Sequence, residues 1–89
     1  MKMYAIKFSQ TAEKQFEKLD ISIQERVIAS LERIRFRPYH FVKRIVGTDS
    51  YRLRVGDYRV ILNIQNDVLV IMVITIGHRK IIYKDLKIK

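Results

Sequence analysis

From Lys43 onward apolar and polar residues alternate with a period of two, and this change of period constrains the fold more than any other feature of the chain. Between Thr11 and Ile34 apolar residues recur three and four apart, as on a helix; from Lys43 the pattern reads as strands. Ser50 to Val55, Tyr58 to Gln65 and Val68 to Ile76 are expected to form three strands, with Gly56-Asp57 and Asn66-Asp67 as two-residue turns between them. Upstream, Met3 to Phe8 alternates weakly and places Tyr4, Ile6 and Phe8 on one side of a first strand. Ser9 or Thr11 can cap a helix that carries Ala12, Phe16 and Leu19. Asp20-Ile21-Ser22 interrupts that helix, and Ser22 with Glu25 fits a capping box for a second one. The second helix bears an apolar stripe of Ile23, Val27, Ile28, Leu31 and Ile34 and is expected to end at Pro38. Arg33, Arg35 and Arg37 near its end suit the helix dipole. The order strand, helix, helix, three-stranded antiparallel meander and short tail defines an α+β fold, with two helices on one face of a mostly antiparallel sheet. Residues 1–89 contain no linker, repeat or low-complexity tract and read as one domain.

Eighteen Lys and Arg against nine Asp and Glu give a net charge of +9. Such an excess repels itself in a small fold but concentrates polyanions around it, and nucleic acid is the commonest partner of so basic a domain. An acidic protein partner is compatible with the same charge. Cysteine is absent, so no disulfide framework is available and secretion is not suggested. The N-terminus lacks the long apolar stretch of a signal peptide. The most apolar run, Val68 to Ile76, is far short of the roughly 20 residues of a membrane-crossing helix. A cytoplasmic protein with no membrane association is expected. Two histidines and no clustered carboxylates leave no metal-ligand pattern, and no glycine-rich phosphate loop or serine nucleophile motif is present. No cofactor is expected.

A two-residue turn fixes the register of a hairpin. With Gly56-Asp57 as the loop, Val55 pairs with Tyr58, Arg54 with Arg59 and Leu53 with Val60. Tyr51, Leu53, Val55, Tyr58, Val60 and Leu62 then face the helices, and Arg52, Arg54 and Arg59 share the other face. Like charges directly opposite on a sheet destabilise it, and a phosphate held by guanidinium forks would offset the repulsion. With Asn66-Asp67 as the second loop, Ile74 falls beside Arg59 and Ile76 beside Asp57. His78 and Arg79 then emerge next to the Gly56-Asp57 end and join the arginines on one concave face, as does Tyr83 if the tail folds back. Lys43 and Arg44 add two further substrate-binding candidates.

The stretch Tyr51-Arg52-Leu53-Arg54-Val55-Gly56-Asp57-Tyr58-Arg59-Val60, followed by Ile76-Gly77-His78-Arg79 and Tyr83, resembles the RelE/ParE toxin superfamily over essentially the whole chain. The resemblance implies a microbial-ribonuclease-like fold and, in the RelE branch, ribosome-dependent cleavage of mRNA. It also implies an antitoxin of the RelB kind, and operator DNA as a ligand of the toxin–antitoxin complex. In such cleavage the RNA 2′-hydroxyl attacks the adjacent phosphate and expels the 5′-oxygen. The positions that resemblance marks are Arg52 and Arg54 for binding, Arg59 and Arg79 for charge stabilisation, and Tyr83 in the tail. Best-known members carry lysine at the two first-strand positions, where this chain has arginine. A guanidinium is a poor general base, so proton transfer falls to Tyr83 or His78. A role for His78 in capping the strand end stands beside that one. The ParE branch shares the fold and the Gly-Asp-Tyr-Arg stretch but poisons DNA gyrase, and a module that grips nucleic acid without cutting it is a third alternative.

Overall fold

The computed structural model describes residues 2–86, and the side chains of residues 2–82. Five strands form one sheet: β1 (Ala5–Phe8), β2 (Val42–Arg44), β3 (Tyr51–Val55), β4 (Tyr58–Gln65) and β5 (Val70–His78), in the spatial order β1-β5-β4-β3-β2. The last four form an antiparallel meander, whereas β1 lies parallel to β5 at the other edge. Short β2 is the strand not expected from the sequence: it pairs through only Val42, Lys43 and Arg44, too few residues for alternation to declare itself.

The helices α1 (Gln10–Glu17) and α2 (Ile21–Ile34) cover one face. Ser9, not Thr11, caps α1: its hydroxyl accepts from the Ala12 N–H at 3.0 Å and donates to the Ile74 carbonyl at 2.7 Å. The Ser22–Glu25 capping box does not form, because α2 starts at Ile21 and Ser22 lies within its first turn. Asp20 stands at the N-cap without a side-chain bond, its carbonyl accepting from Ile23 and Gln24. The Gln24 amide donates to the Phe16 carbonyl at the end of α1, which holds the two helices in a tight connection. Val27, Leu31 and Ile34 pack on Leu53, Val55, Val60, Leu62, Ile71, Val73 and Ile76. Ile23 is half-buried, and Ile28 falls off the stripe into solvent because it sits about 100° round the helix from Val27. The helix ends at Ile34, before Pro38 has any influence. Arg35 ends it by a reciprocal clamp on Tyr4: Tyr4 N–H donates to the Arg35 carbonyl at 2.9 Å, and Arg35 Nε donates to the Tyr4 carbonyl at 2.8 Å. Pro38 instead opens a 3₁₀ turn, Pro38–His40.

The first hairpin has the expected register, Val55 opposite Tyr58 and Arg54 opposite Arg59. Gly56 supplies the positive φ, +59°, that such a short loop requires. The second hairpin departs from expectation twice. Its loop is four residues, Asn66 to Leu69, so Gln65 pairs with Val70 and Val68 stands 59% exposed in the turn. Asn66 does not serve as a tight-turn residue because its amide bridges Tyr4 and Tyr39 at 2.7 Å each. A β-bulge after Leu62–Val73 then adds one more residue, so that Gly77, not Ile74, lies opposite Arg59 and His78 lies opposite Tyr58. The bulge lets both Val73 and Ile76 face the core, and α1 satisfies the interrupted ladder. Gln15 Oε1 accepts from the Ile76 N–H at 2.6 Å and from the Thr75 hydroxyl at 3.0 Å.

The tail forms a third helix, α3 (Arg79–Leu86), on the face away from α1 and α2. Ile82 packs there on Ile45 and Ile61. Gly77 makes the close approach possible: a Cβ at that position would lie 3.1 Å from two carbons of Ile82.

Candidate functional site

The face of the sheet away from α1 and α2 carries a shallow cavity of about 200 Å³ lined by Phe41, Lys43, Arg52, Arg54 and Arg59. Pleat and register explain the gathering. Lys43 lies opposite Arg52, and Arg54 opposite Arg59, so three neighbouring strands bring four cations to one surface. Arg59 is the extreme case, only 7% exposed. Its guanidinium donates to the Gly56 and Tyr58 carbonyls at 2.8 Å each, which holds it at the hairpin end. Burying a charge is costly unless hydrogen bonds accompany it, and these backbone carbonyls supply part of that compensation. Such a concentration of fixed guanidinium forks is suited to an anion with several oxygens on a rigid frame.

The remaining candidates are placed unevenly. Arg79 begins α3, exposed, and its backbone N–H donates to the Asp57 carbonyl at 2.8 Å, which sets it beside the Gly56-Asp57 turn, though it is not among the residues that line the cavity. Arg44, adjacent to Lys43, points to the other side of β2; its side chain donates to the Thr48 carbonyl and approaches Asp49 at 3.8 Å. His78 is also turned away. Opposite Tyr58 it shares that residue's side of the sheet, its ring 5.7 Å from the Tyr58 ring, and its Nδ1 accepts from the Lys80 N–H at 3.3 Å. The imidazole thus caps the start of α3, and the expectation that it joins the arginines is corrected by the four-residue turn and the bulge. The Tyr83 side chain lies outside the described residues; its backbone lies in α3, one turn after Arg79.

Phe41 is the residue that sequence reasoning missed. It is 41% exposed, forms one wall of the cavity and has the Arg33 guanidinium 5.7 Å over its ring. Its signal, an aromatic immediately before β2, becomes visible only once that strand is known. Among the described residues no His, Cys, Asp and Glu side chains gather in a group able to hold a metal ion, and no helix is long and apolar enough to cross a membrane.

The fold of this chain has counterparts among known proteins. The sequence model for the ParE toxin of the type II toxin–antitoxin system parDE matches residues 6–83. A RelE-like toxin protein of Escherichia coli is 29% identical over 80 residues, covering 86% of this chain and 84% of the relative. Among solved structures, the archaeal RelE–RelB complex from Pyrococcus horikoshii OT3 superposes with a TM-score of 0.75 at 27% identity, covering 86% of this chain and 96% of that one. The intact E. coli RelBE toxin–antitoxin complex gives 0.73 at 25% identity, covering 84% and 95%. These matches define the class as a small RelE-like toxin of a type II toxin–antitoxin system. The chain belongs to the ParE toxin family, within the RelE/ParE superfamily.

Proposed function

We propose that the protein is a ribosome-dependent mRNA endoribonuclease, held inactive by a RelB-like antitoxin. The observation that carries this is the convergence of Lys43, Arg52, Arg54 and the nearly buried Arg59 on one sheet face. The RNA 2′-oxygen attacks the adjacent phosphorus as its proton leaves, and the bond to the 5′-oxygen breaks as that oxygen gains a proton. The products are a 2′,3′-cyclic phosphate and a free 5′-hydroxyl. The negative charge that develops on the phosphorane is met by Arg59, fixed on the hairpin turn, with Arg79 approaching from the start of α3. Arg52, Arg54 and Lys43 grip the scissile and flanking phosphates, and Phe41 offers a face on which a base can stack. Arginine at both first-strand positions leaves proton transfer to Tyr83, since His78 lies on the other side of the sheet with its Nδ1 engaged. A RelB-like antitoxin is supported by the RelB chains seated on the structurally similar toxins. The ParE family match over residues 6–83 favours a second reading, a gyrase poison that uses the same cationic face without cleaving RNA.

Cleavage of mRNA by the purified protein, with and without ribosomes, separates the two. Cuts that require ribosomes and disappear in Arg59→Ala and Arg79→Ala are expected. Intact mRNA beside loss of gyrase supercoiling activity would transfer the assignment to the second reading.

A further inference from the structure

A second cationic surface lies outside the concave face, in a groove of about 290 Å³ between α2 and the first hairpin. Arg26, Ala29, Ser30 and Arg33 line it from α2, and Arg54, Val55 and Gly56 from the sheet. The spacing i, i+3, i+4, i+7 puts the four α2 residues on one helical face, beside the buried Val27–Leu31–Ile34 stripe. The floor is made of small residues, which lets a bulky anion approach between the arginines. Neither Arg26, Arg33 nor Arg54 is ion-paired to an acid among the described residues.

Three contacts join this groove to the concave face. Arg54 lines both. Gly56 lies between them: its carbonyl accepts from Arg59, and the Arg26 guanidinium rests so close to its α-carbon that a Cβ there would meet Arg26 Nη2 at 2.6 Å. Phe41, a wall of the concave cavity, carries the Arg33 guanidinium over its ring. Because β2 pairs only with residues 51–53 of β3, the sheet edge at Arg54 and Val55 is left uncovered by that strand, and a ligand can cross there. Among the described residues the cationic surface therefore runs from Lys43, Arg52 and Arg59 past Arg54, which lines both cavities, to Arg26 and Arg33.

We infer that the α2 groove is a second phosphate site, which holds the backbone of a single nucleic-acid strand as it leaves the concave face over the Gly56 edge. A strand carries a charge at every nucleotide, so a track of evenly supplied arginines on small residues suits it, and guanidinium forks bind its phosphates in pairs of hydrogen bonds. The inference rests on the concave face binding phosphate, and the two can fail separately.

The test uses 2′-O-methyl oligoribonucleotides of two and eight nucleotides, which lack the attacking hydroxyl, and fluorescence anisotropy over a salt series. Arg26→Gln/Arg33→Gln is expected to weaken the eight-nucleotide ligand about tenfold, to reduce its log K against log salt slope by ~1.4, and to leave the dinucleotide unchanged. Arg26→Lys/Arg33→Lys should retain the slope, because charge alone sets it. Both arginines are exposed, so the variants should melt as the parent does. Unchanged octamer binding in the glutamine variant would overturn the second site while the concave site survives through an Arg59-dependent dinucleotide. An equal loss for both ligands would deny the groove a separate role. Intact RNA binding with weakened capture of an acidic antitoxin peptide would give the groove to a protein partner. Failure of the parent to bind either oligonucleotide would remove both assignments.

Discussion

Arg54 and Arg59 show how function is written against stability at the level of single side chains. They stand directly opposite across β3 and β4, an arrangement worth roughly 0.2–1 kcal/mol of repulsion relative to a neutral pair. Arg54→Gln should therefore unfold at a slightly higher denaturant midpoint than the parent while binding RNA more weakly; a lower midpoint would show that Arg54 stabilises the fold. Gly56 is constrained in two independent ways, by φ of +59° and by the guanidinium of Arg26 in the place of a side chain. Gly47 separates them, since it too has positive φ, +82°, but nothing within 4 Å of a Cβ. Gly47→Ala should cost about 1–2 kcal/mol from backbone strain alone, and Gly56→Ala more, as Arg26 is displaced. Equal losses in thermal melts would mean that Arg26 yields freely. The cationic face was legible in the sequence because the two-residue Gly56-Asp57 turn pins the register, so one local feature places Arg52, Arg54 and Arg59 on one side. The burial of Arg59 was not legible, because it depends on where its long side chain folds, onto the Gly56 and Tyr58 carbonyls.

At the scale of elements, the second hairpin marks where sequence reasoning stops. An Asn-Asp pair between two apolar runs suits a two-residue turn, but Asn66 is recruited by Tyr4 and Tyr39, both distant in sequence, and the loop lengthens to four. A shift of two preserves which face each side chain takes. The bulge then adds one, and every residue beyond it changes face, which moves His78 from the arginine side to the Tyr58 side. Nothing within β5 reports this, because the partner that makes the bulge tolerable is Gln15 on α1. Gln15→Ala leaves the Ile76 N–H without its acceptor and should destabilise the fold by about 1–3 kcal/mol. Gln15→Glu keeps an acceptor at that place and should lose less. Equal unfolding midpoints for the parent and Gln15→Ala would show that water replaces the amide at no cost. The third helix was hidden for a similar reason. Its residues mix charge with β-branched side chains, and its docking depends on the bare Gly77 beneath Ile82.

For the molecule as a whole, the charge of +9 is arranged rather than merely abundant. Described ion pairs occupy the periphery, Glu32 with Arg35 and Asp49 with Arg44, and both involve exposed acids that contribute little. Among the described residues no acid lines the concave cavity, whose lining is cationic apart from Phe41. A net charge of +9 on so small a fold is expected to repel itself, and salt should relieve that repulsion. The melting temperature is expected to rise between low and moderate sodium chloride, as the screening length falls from ~30 Å at 0.01 M to ~10 Å at 0.1 M. The same salt should weaken nucleic-acid binding. Four phosphate contacts on a single strand correspond to a log K against log salt slope near −3, and the two effects must run in opposite directions if one cluster of charges causes both. The decisive comparison is Arg52→Gln/Arg54→Gln. If the concave face is the source of the repulsion, this variant should melt higher than the parent at low salt and gain less from added salt, while its RNA slope flattens by ~1.4. A flattened RNA slope with an unaltered dependence of melting on salt would place the repulsion elsewhere on the surface, and the cationic face would then be a binding site that the fold carries at no cost to itself.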